Sequence, residues 1–320
     1  MQVVTLTLNV AVDQTVSLDQ LVPGQVNRAK AVYLNAGGKG LNVSSCLADW
    51  GLRSCASGIL GQYNAALFRA LCAQKGIEDN FVTIKGESRI NIKLADKTGT
   101  TDINLPGIRV NATALEQVEA VLDSRRNADM FVFSGSLPEG CPPDIYARLI
   151  AKFGKRDGGG KKIILDTSGE PLRLALESEI CPYCLKPNLQ ELCELTGELA
   201  STVEDAARLA AGLLKNGVEL IVVSLGEGGA VFIDREQALF ARKPARHVLS
   251  TVGAGDAMVA GIVAAHAAAM KRKQSVELEQ LAQVATAFSV AKLGMIGPNL
   301  PPRAEVRALI REVNVRPLQI

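Results

Sequence analysis

The stretch "STVGAGDAMVAGIVAAHAAAM", Ser250 to Met270, decides what kind of fold this chain makes. Its apolar part, Ala257 to Met270, contains His266 and falls short of the ~18 residues that a membrane-spanning helix needs. It therefore reads as a helix buried in a protein core. The small residues ahead of it, Gly253-Ala254-Gly255-Asp256, have two readings. They can be a tight turn with Asp256 as a cap or dipole partner. They can also form a nest of backbone N–H groups for an anion, with a catalytic carboxylate at its edge.

Apolar β-branched runs occur at Val3–Leu8, Cys55–Ile59, Met130–Ser134, Lys162–Asp166, Leu185–Lys186 and Leu220–Ser224. Helical patterns fall between them, around Gly40–Trp50, Ala65–Lys75, Thr113–Leu122, Pro143–Phe153, Leu189–Thr196, Val203–Asn216, Gly255–Met270 and Leu278–Leu293. Such alternation predicts an α/β fold with a parallel sheet covered on both faces. Its ligands belong beyond the C-terminal strand ends. The chain's 320 residues, 48% of them apolar, can bury a large core.

Two segments break the alternation. Residues 8–34 show no helix, and "RINIKLADKTGTTDINL", Arg89 to Leu105, alternates like a hairpin with its turn near Asp96–Gly99. Paired, they would make a small second sheet, a natural lid beside a nucleotide-sized cleft. The chain is accordingly expected to be one domain, 1–320, with lid segments at about 9–34 and 87–107. The tract "KRDGGGKK", Lys155 to Lys162, reads as a surface loop.

Composition narrows the function. A formal net charge of +2 argues against nucleic acid or an acidic membrane surface as partner. "MQVVTLTLNV" lacks a basic leader and reads as a strand, which makes the cytoplasm the expected location. Seven cysteines in apolar contexts read as buried thiols. Cys181 and Cys184 in "CPYC" have redox spacing, so a thiol oxidoreductase is one reading of the chain. Pro187 argues against the helix such a pair wants after it. The two histidines, His247 and His266, lie at no metal-ligand spacing from a Cys or acid cluster.

Phosphate motifs come next. "GGGKKI" ends in Ile where a Walker loop has its hydroxyl, and no G-x-G-x-x-G follows the first strand. "NAGGKGLNVSS", Asn35 to Ser45, is a better candidate. Gly37 and Gly38 permit close backbone approach, Lys39 is a cation, and a helix start near Gly40 supplies amides. A glycine turn with a solvated lysine explains the same residues. In "LKPNLQEL", Asn188 and Glu191 fit a capping box equally well. "VVSLGEGGA" sets Ser224 and Gly226 past a strand end, as a nucleotide-lining loop or an ordinary turn.

Together these motifs resemble a known family. "AGGKGLNVSS", then "SGSLP", "KPNLQEL", "VSLGEGGA" and "STVGAGDAMVAG", in that order, is similar to the ribokinase-like carbohydrate kinases. The resemblance runs from about Leu6 to Gly294 and is closest to the phosphofructokinase B branch, which phosphorylates sugar phosphates. "TLTLNVAVDQTV", "VNR", "SRINIKL" and "TDINLPG" point within it to the 1-phosphofructokinases, with the tagatose-6-phosphate kinases similar and 6-phosphofructokinase third. The Lys in "GGKG" favours the first two. Val10 departs from the branch, which has proline after the Asn.

The resemblance implies a three-layer α/β/α sandwich with a small β-sheet lid. It implies ATP and Mg²⁺, a ketohexose phosphate as substrate, fructose 1-phosphate first, and a homodimer through the lid. Asp256 would be the base, with Gly253, Ala254 and Gly255 as the anion hole. Asp13, Gly38 and Asn42 would hold sugar hydroxyls, with Gly37 also at the substrate. Arg28, Lys39 and Arg89 would meet the substrate's phosphate, with Asn91 beside it. Lys186, Asn188, Ser224, Gly226, Gly229 and Thr251 would line the ATP site, and Asn188 and Glu191 would organise Mg²⁺ through water.

Overall fold

β1 (Val3–Thr7) sets the architecture: Val4 and Leu6 point into one core and Val3 into the core on the opposite face. A strand buried on both sides must lie inside a sheet covered on both faces, the usual setting of parallel strands. The structure, a computed structural model, describes residues 1–154, 161–214 and 217–319. Most of the Lys155–Lys162 loop, and the end of the helix expected to reach Asn216, lie outside the described residues.

After β1 the chain forms β2 (Ala11–Ser17), β3 (Ala31–Gly37), α1 (Lys39–Trp50), β4 (Ser54–Gly61), α2 (Ala65–Lys75), β5 (Glu78–Ile84), β6 (Arg89–Asp96) and β7 (Gly99–Asn104). Then come α3 (Ala112–Ser124), β8 (Met130–Ser134), α4 (Ile145–Phe153), β9 (Lys162–Asp166), α5 (Gly169–Glu177), β10 (Cys184–Leu185), α6 (Leu189–Thr196), α7 (Val203–Ala211) and β11 (Leu220–Ser224). The last elements are β12 (Ala230–Ile233), β13 (Ala238–Arg242), α8 (Ala254–Arg272), α9 (Leu278–Leu293), α10 (Arg303–Glu312) and β14 (Asn314–Leu318).

Among the described residues the large sheet has ten strands, ordered β14-β13-β12-β11-β10-β9-β8-β1-β4-β5. From β11 to β5 neighbours run parallel; β12, β13 and β14 add an antiparallel edge. Alternate residues feed two cores. Phe131, Phe133, Ile221 and Val223 pack under α3 to α7, while Met130, Val132, Leu220 and Val222 pack under α1, α8, α9 and α10. The result is a three-layer α/β/α sandwich.

The two segments that interrupt the alternation form a separate four-stranded sheet, ordered β3-β2-β6-β7. β6 and β7 pair antiparallel from Asn91↔Asn104 to Asp96↔Gly99, so the turn falls at Asp96–Gly99. β2 and β6 pair in parallel with Asp13 opposite Asn91.

α8 and α9 pack along each other at close range. A Cβ on Gly261 would stand 2.6 Å from the Ala285 Cα, so only glycine permits this separation. The long apolar helix read from the sequence is buried through most of its length, His266 included. Among the described residues no helix is long and apolar enough to cross a membrane.

Several elements lacked a sequence signal. β5 is a half-exposed edge strand, and β14 carries Pro317, which suits an edge but not a strand pattern. α5 and α10 are short amphipathic helices that bury few residues.

Candidate active site

The strand ends and the lid sheet enclose a cleft of about 460 Å³. From the large sheet and its helices it is lined by Gly38, Lys39, Asn42, Asp166, Lys186, Asn188, Glu191, Ser224, Gly253, Gly255 and Asp256. The lid sheet adds Asp13, Arg89, Asn91, Lys93, Asp102 and Asn104.

The cradle forms where α8 starts. Gly253 has φ 81°, the left-handed conformation that glycine adopts without strain, and turns the chain into the helix. The first helical bond runs from the Ala257 amide to the Gly253 carbonyl. The amides of Gly255 and Asp256 therefore lie in the open first turn, at the positive end of the helix dipole.

Asp256 is buried and accepts a hydrogen bond from Asn42 Nδ2 at 2.7 Å. Burial, then the negative charge of Asp166, pushes its pKa up to about 6, against the opposing pull of Lys39, Asn42 and Lys186. Such a carboxylate is ionised at neutral pH and basic enough to accept a proton from a hydroxyl. The expected pH profile follows. kcat/KM falls as pH drops through about 6, where Asp256 takes up a proton. Initial rates from pH 5 to 8 check this, and a flat profile across that limb removes Asp256 from the role.

Asp166 ends β9 and carries the cations of the site. Lys39 Nζ donates to its Oδ1 at 3.0 Å, and Lys186 Nζ lies 3.5 Å from the same atom. Burial raises the Asp166 pKa, but the two ammonium groups outweigh it and hold the carboxyl below the usual range. Burial alone would lower the Lys39 pKa; Asp166 and Asp256 hold it above the usual lysine range. Lys186 also faces the cradle: a Cβ on Gly255 would stand 3.4 Å from its Nζ.

On the lid, Asp13 accepts from Asn91 Nδ2 at 3.1 Å and lies 3.5 Å from Lys93 Nζ. A Cβ on Gly37 would come 2.5 Å from Asp13 Oδ2, so a larger residue there would displace this carboxylate. The buried Arg89 Nε and Asn91 Oδ1 have no hydrogen-bond partner. An unpaired buried guanidinium N–H is costly unless an anion completes it.

Asn188 and Glu191 make a reciprocal capping box, each side chain accepting from the other's amide at 2.8 Å. Gly226 and Gly229 line a neighbouring cavity of about 280 Å³, floored by Val248, Met258, Thr286, Val290 and Leu293. Thr251 lines a third cavity, which adjoins the cleft through Asp13, Asn42, Lys93 and Gly253.

The matching of expected residues is uneven. Arg28 is exposed on the β2–β3 loop and lines none of these cavities. Lys39 has Asp166 and Asp256 as its neighbours, at the cradle end of the cleft. Lys93, Asp102, Asn104 and Asp166 escaped the sequence reading. Lys93 shares the β6 face with Arg89 and Asn91 by a spacing of two, a signal that was available. Asp166 stands at the C-terminal end of a parallel strand, where ligands gather.

The thiol alternative does not fit. Cys184 lies inside the sheet on β10, where burial pushes its pKa up, and Cys181 is buried too. A redox pair needs an accessible thiolate with a lowered pKa.

The family model of the pfkB carbohydrate kinases matches residues 6–302. The chain belongs to the pfkB family of carbohydrate kinases. It is 44% identical over 298 residues to the 1-phosphofructokinase of Xanthomonas campestris pv. campestris, covering 92% of this chain and 91% of that one. It is 41% identical over 322 residues to the 1-phosphofructokinase of Rhodobacter capsulatus, covering 99% and 98%. The crystal structure of phosphofructokinase-2 from Escherichia coli in complex with substrates and products matches with a TM-score of 0.85 at 26% identity, over 98% of this chain and 99% of that one. The similarity of this pfkB kinase to these relatives runs along almost the whole chain.

Proposed function

We propose that this kinase transfers the γ-phosphoryl group of ATP to the free primary hydroxyl of fructose 1-phosphate, giving fructose 1,6-bisphosphate and ADP. The observation that carries the reading is the pairing of two features across one cleft. A buried carboxylate stands at an amide cradle, and the lid brings to the same cleft Arg89, whose buried Nε is unpaired, and Lys93.

The hydroxyl oxygen attacks the γ-phosphorus, the bond to the β–γ bridging oxygen breaks, and the hydroxyl proton passes to Asp256. Asn42 fixes the carboxylate's orientation. The first-turn amides of α8, with Lys39 and Lys186, meet the charge on the phosphoryl oxygens; such transfer depends on positioning and charge neutralisation. Asp13, Asn91 and Gly38 hold sugar hydroxyls. Arg89 and Lys93 take the phosphate already on the substrate; Arg28 and Lys39 lie less well for that contact. The adenine occupies the cavity beside Gly226 and Gly229, with Ser224 and Thr251 nearer the phosphates. The lid sheet closes over the sugar and excludes water.

Mg²⁺ fits this site in one way. Among the described residues no cluster of three or more His, Cys, Asp or Glu side chains is arranged to hold a metal. Asn188 Oδ1 and one Glu191 oxygen are engaged in the capping box, which leaves the other Glu191 oxygen for water-mediated contact. Mg²⁺ habitually keeps its waters and binds through substrate phosphates, so this donor set suits it. When bound, it would neutralise charge on the β- and γ-phosphates.

A homodimer through the lid is part of the same proposal. Val32, Tyr33 and Leu34 on the edge strand β3 are all about half exposed, an apolar run that a second copy would cover. Light scattering after size exclusion measures the mass directly, and a monomer at micromolar concentration refutes it.

The substrate is tested by coupled ADP release with MgATP and four acceptors: fructose 1-phosphate, tagatose 6-phosphate, fructose 6-phosphate and fructose. The highest kcat/KM is expected on fructose 1-phosphate. Preference for another phosphate moves the name; turnover with free fructose alone overturns the assignment of the lid cations. Arg89→Ala is expected to raise the sugar-phosphate KM by about tenfold or more, the loss of a charge-assisted contact, with the ATP KM little changed. An unchanged sugar-phosphate KM removes Arg89 from the phosphate site.

A further inference from the structure

Lys292, in the last turn of α9, is a fully buried cation with no part in the proposed reaction, and only 1% of its surface is exposed. Its Nζ donates to the Met295 carbonyl at 2.9 Å. An ammonium has three donors, so this bond leaves capacity unused. A lysine that merely caps a helix end does so from the surface, with its head in water. Here the side chain turns inward, toward the transfer site.

Its target is the underside of the cradle. The point where a Gly253 Cβ would stand lies 3.4 Å from Lys292 Cε, 3.8 Å from Asp256 Oδ2 and 4.0 Å from Asn42 Nδ2. One glycine thus separates the ammonium-bearing carbon from the base and the residue that orients it. The backbone is joined at the same place, because the amides of Leu249 and Ser250 both donate to the Leu293 carbonyl, at 2.7 and 3.2 Å. Lys292 sits at the joint between the end of α9 and the loop that becomes the cradle.

The charge arrangement has a meaning. A buried cation beneath the positive end of α8 is repelled by the helix dipole and has lost its hydration. Burial accordingly pushes the Lys292 pKa down, with Asp256 among the groups that oppose this. The arrangement becomes favourable when an anion sits in the cradle.

We propose that Lys292 is a built-in cation of the transfer site, which holds the Thr251–Gly255 cradle in place and adds positive charge beneath the phosphoryl group in flight. It is a positioning residue, acting through the cradle rather than touching the substrate. The inference rests on the kinase reading above. It also implies that the enzyme needs no small monovalent ion at this place.

The test replaces Lys292 with Met, which keeps the stem and removes the charge. Wild type and Lys292→Met are assayed with MgATP and fructose 1-phosphate in sodium, potassium, ammonium and tetramethylammonium chloride at equal ionic strength. In sodium, kcat of the variant is expected to fall about 10²-fold, the scale for losing one fixed electrostatic group at a transition state. The sugar-phosphate KM moves much less. Ammonium or potassium restores a large part of kcat, and tetramethylammonium, too large for the vacated space, restores none. Wild type runs equally well in sodium and potassium.

A variant kcat close to wild type overturns the proposal, and so does a loss in a normally folded variant that no small cation reverses. Potassium dependence of wild type overturns it without any variant. Should Lys292→Met fail to fold, Lys292→Thr carries the same rescue measurement. Wild-type turnover in the same assay keeps the two readings apart. If another hexose phosphate is preferred, the substrate assignment falls and the comparison proceeds on that sugar.

Discussion

Asp256→Asn lowers kcat by at least about 10²-fold while ATP binding persists, the expected loss for a positioned general base. The amide is nearly isosteric and retains an oxygen to accept from Asn42, so the cradle survives without the proton acceptor. Its pH profile should also lose the acid limb near pH 6. Stability moves the other way. The folded-state pKa lies above the unfolded value, so the protonated acid is the form that folding favours. Stability therefore declines as pH rises from about 4 to about 6, by roughly 3 kcal/mol at most for a shift of this size. The Asn variant lacks that loss and should unfold at the same or higher denaturant concentration at pH 7.5. Steady-state kinetics, nucleotide titration calorimetry and urea unfolding check the three parts. Near-normal turnover ends the assignment.

Asp166→Ala is the second large effect, and it strikes stability and rate together. The side chain is 2% exposed and is the shared partner of Lys39 and Lys186. Removing it leaves Lys186, itself 5% exposed, without its counter-charge. Breaking a buried pair in this way costs about 3 kcal/mol or more. Asp166→Asn is the milder companion. It removes a negative charge that raises the Asp256 pKa, so its acid limb should move to lower pH. A urea midpoint unchanged in Asp166→Ala, or a limb that stays in place in Asp166→Asn, contradicts the network described.

Much of the fold is legible because buried parallel strands leave an unambiguous mark. Val3–Thr7, Met130–Ser134 and Leu220–Ser224 are apolar on both faces, and the sequence pattern finds them. β12 is only four residues long and follows a glycine loop that masks where pairing resumes, and β13 ends in an exposed Arg242. The helix start at Gly253–Asp256 was readable from local chemistry, but that chemistry left a plain capped turn and an anion cradle both open, and only the order of motifs along the chain favoured the cradle. Asp166 and Lys292 were not readable. Each draws its significance from partners over 100 or about 40 positions away, Lys39 in one case and Gly253 in the other, which spacing alone does not reveal. Arg28 shows the reverse: a basic residue in a matching motif that this chain's geometry leaves in solvent.

Gly261 has a consequence far from where it sits. It lies eight residues along α8 from Gly253, roughly 12 Å at 1.5 Å per residue. There it lets that helix rest directly on the Ala285 backbone. A single added methyl must push α8 away from α9. A helix is stiff along its axis, so the displacement travels to its first turn, where the Gly255 and Asp256 amides stand. A substitution at Gly261 would therefore present as a defect of turnover in a protein that folds, binds ATP and keeps every active-site side chain. The reactive geometry is set as much by this dry helical seam as by the residues that meet the substrate.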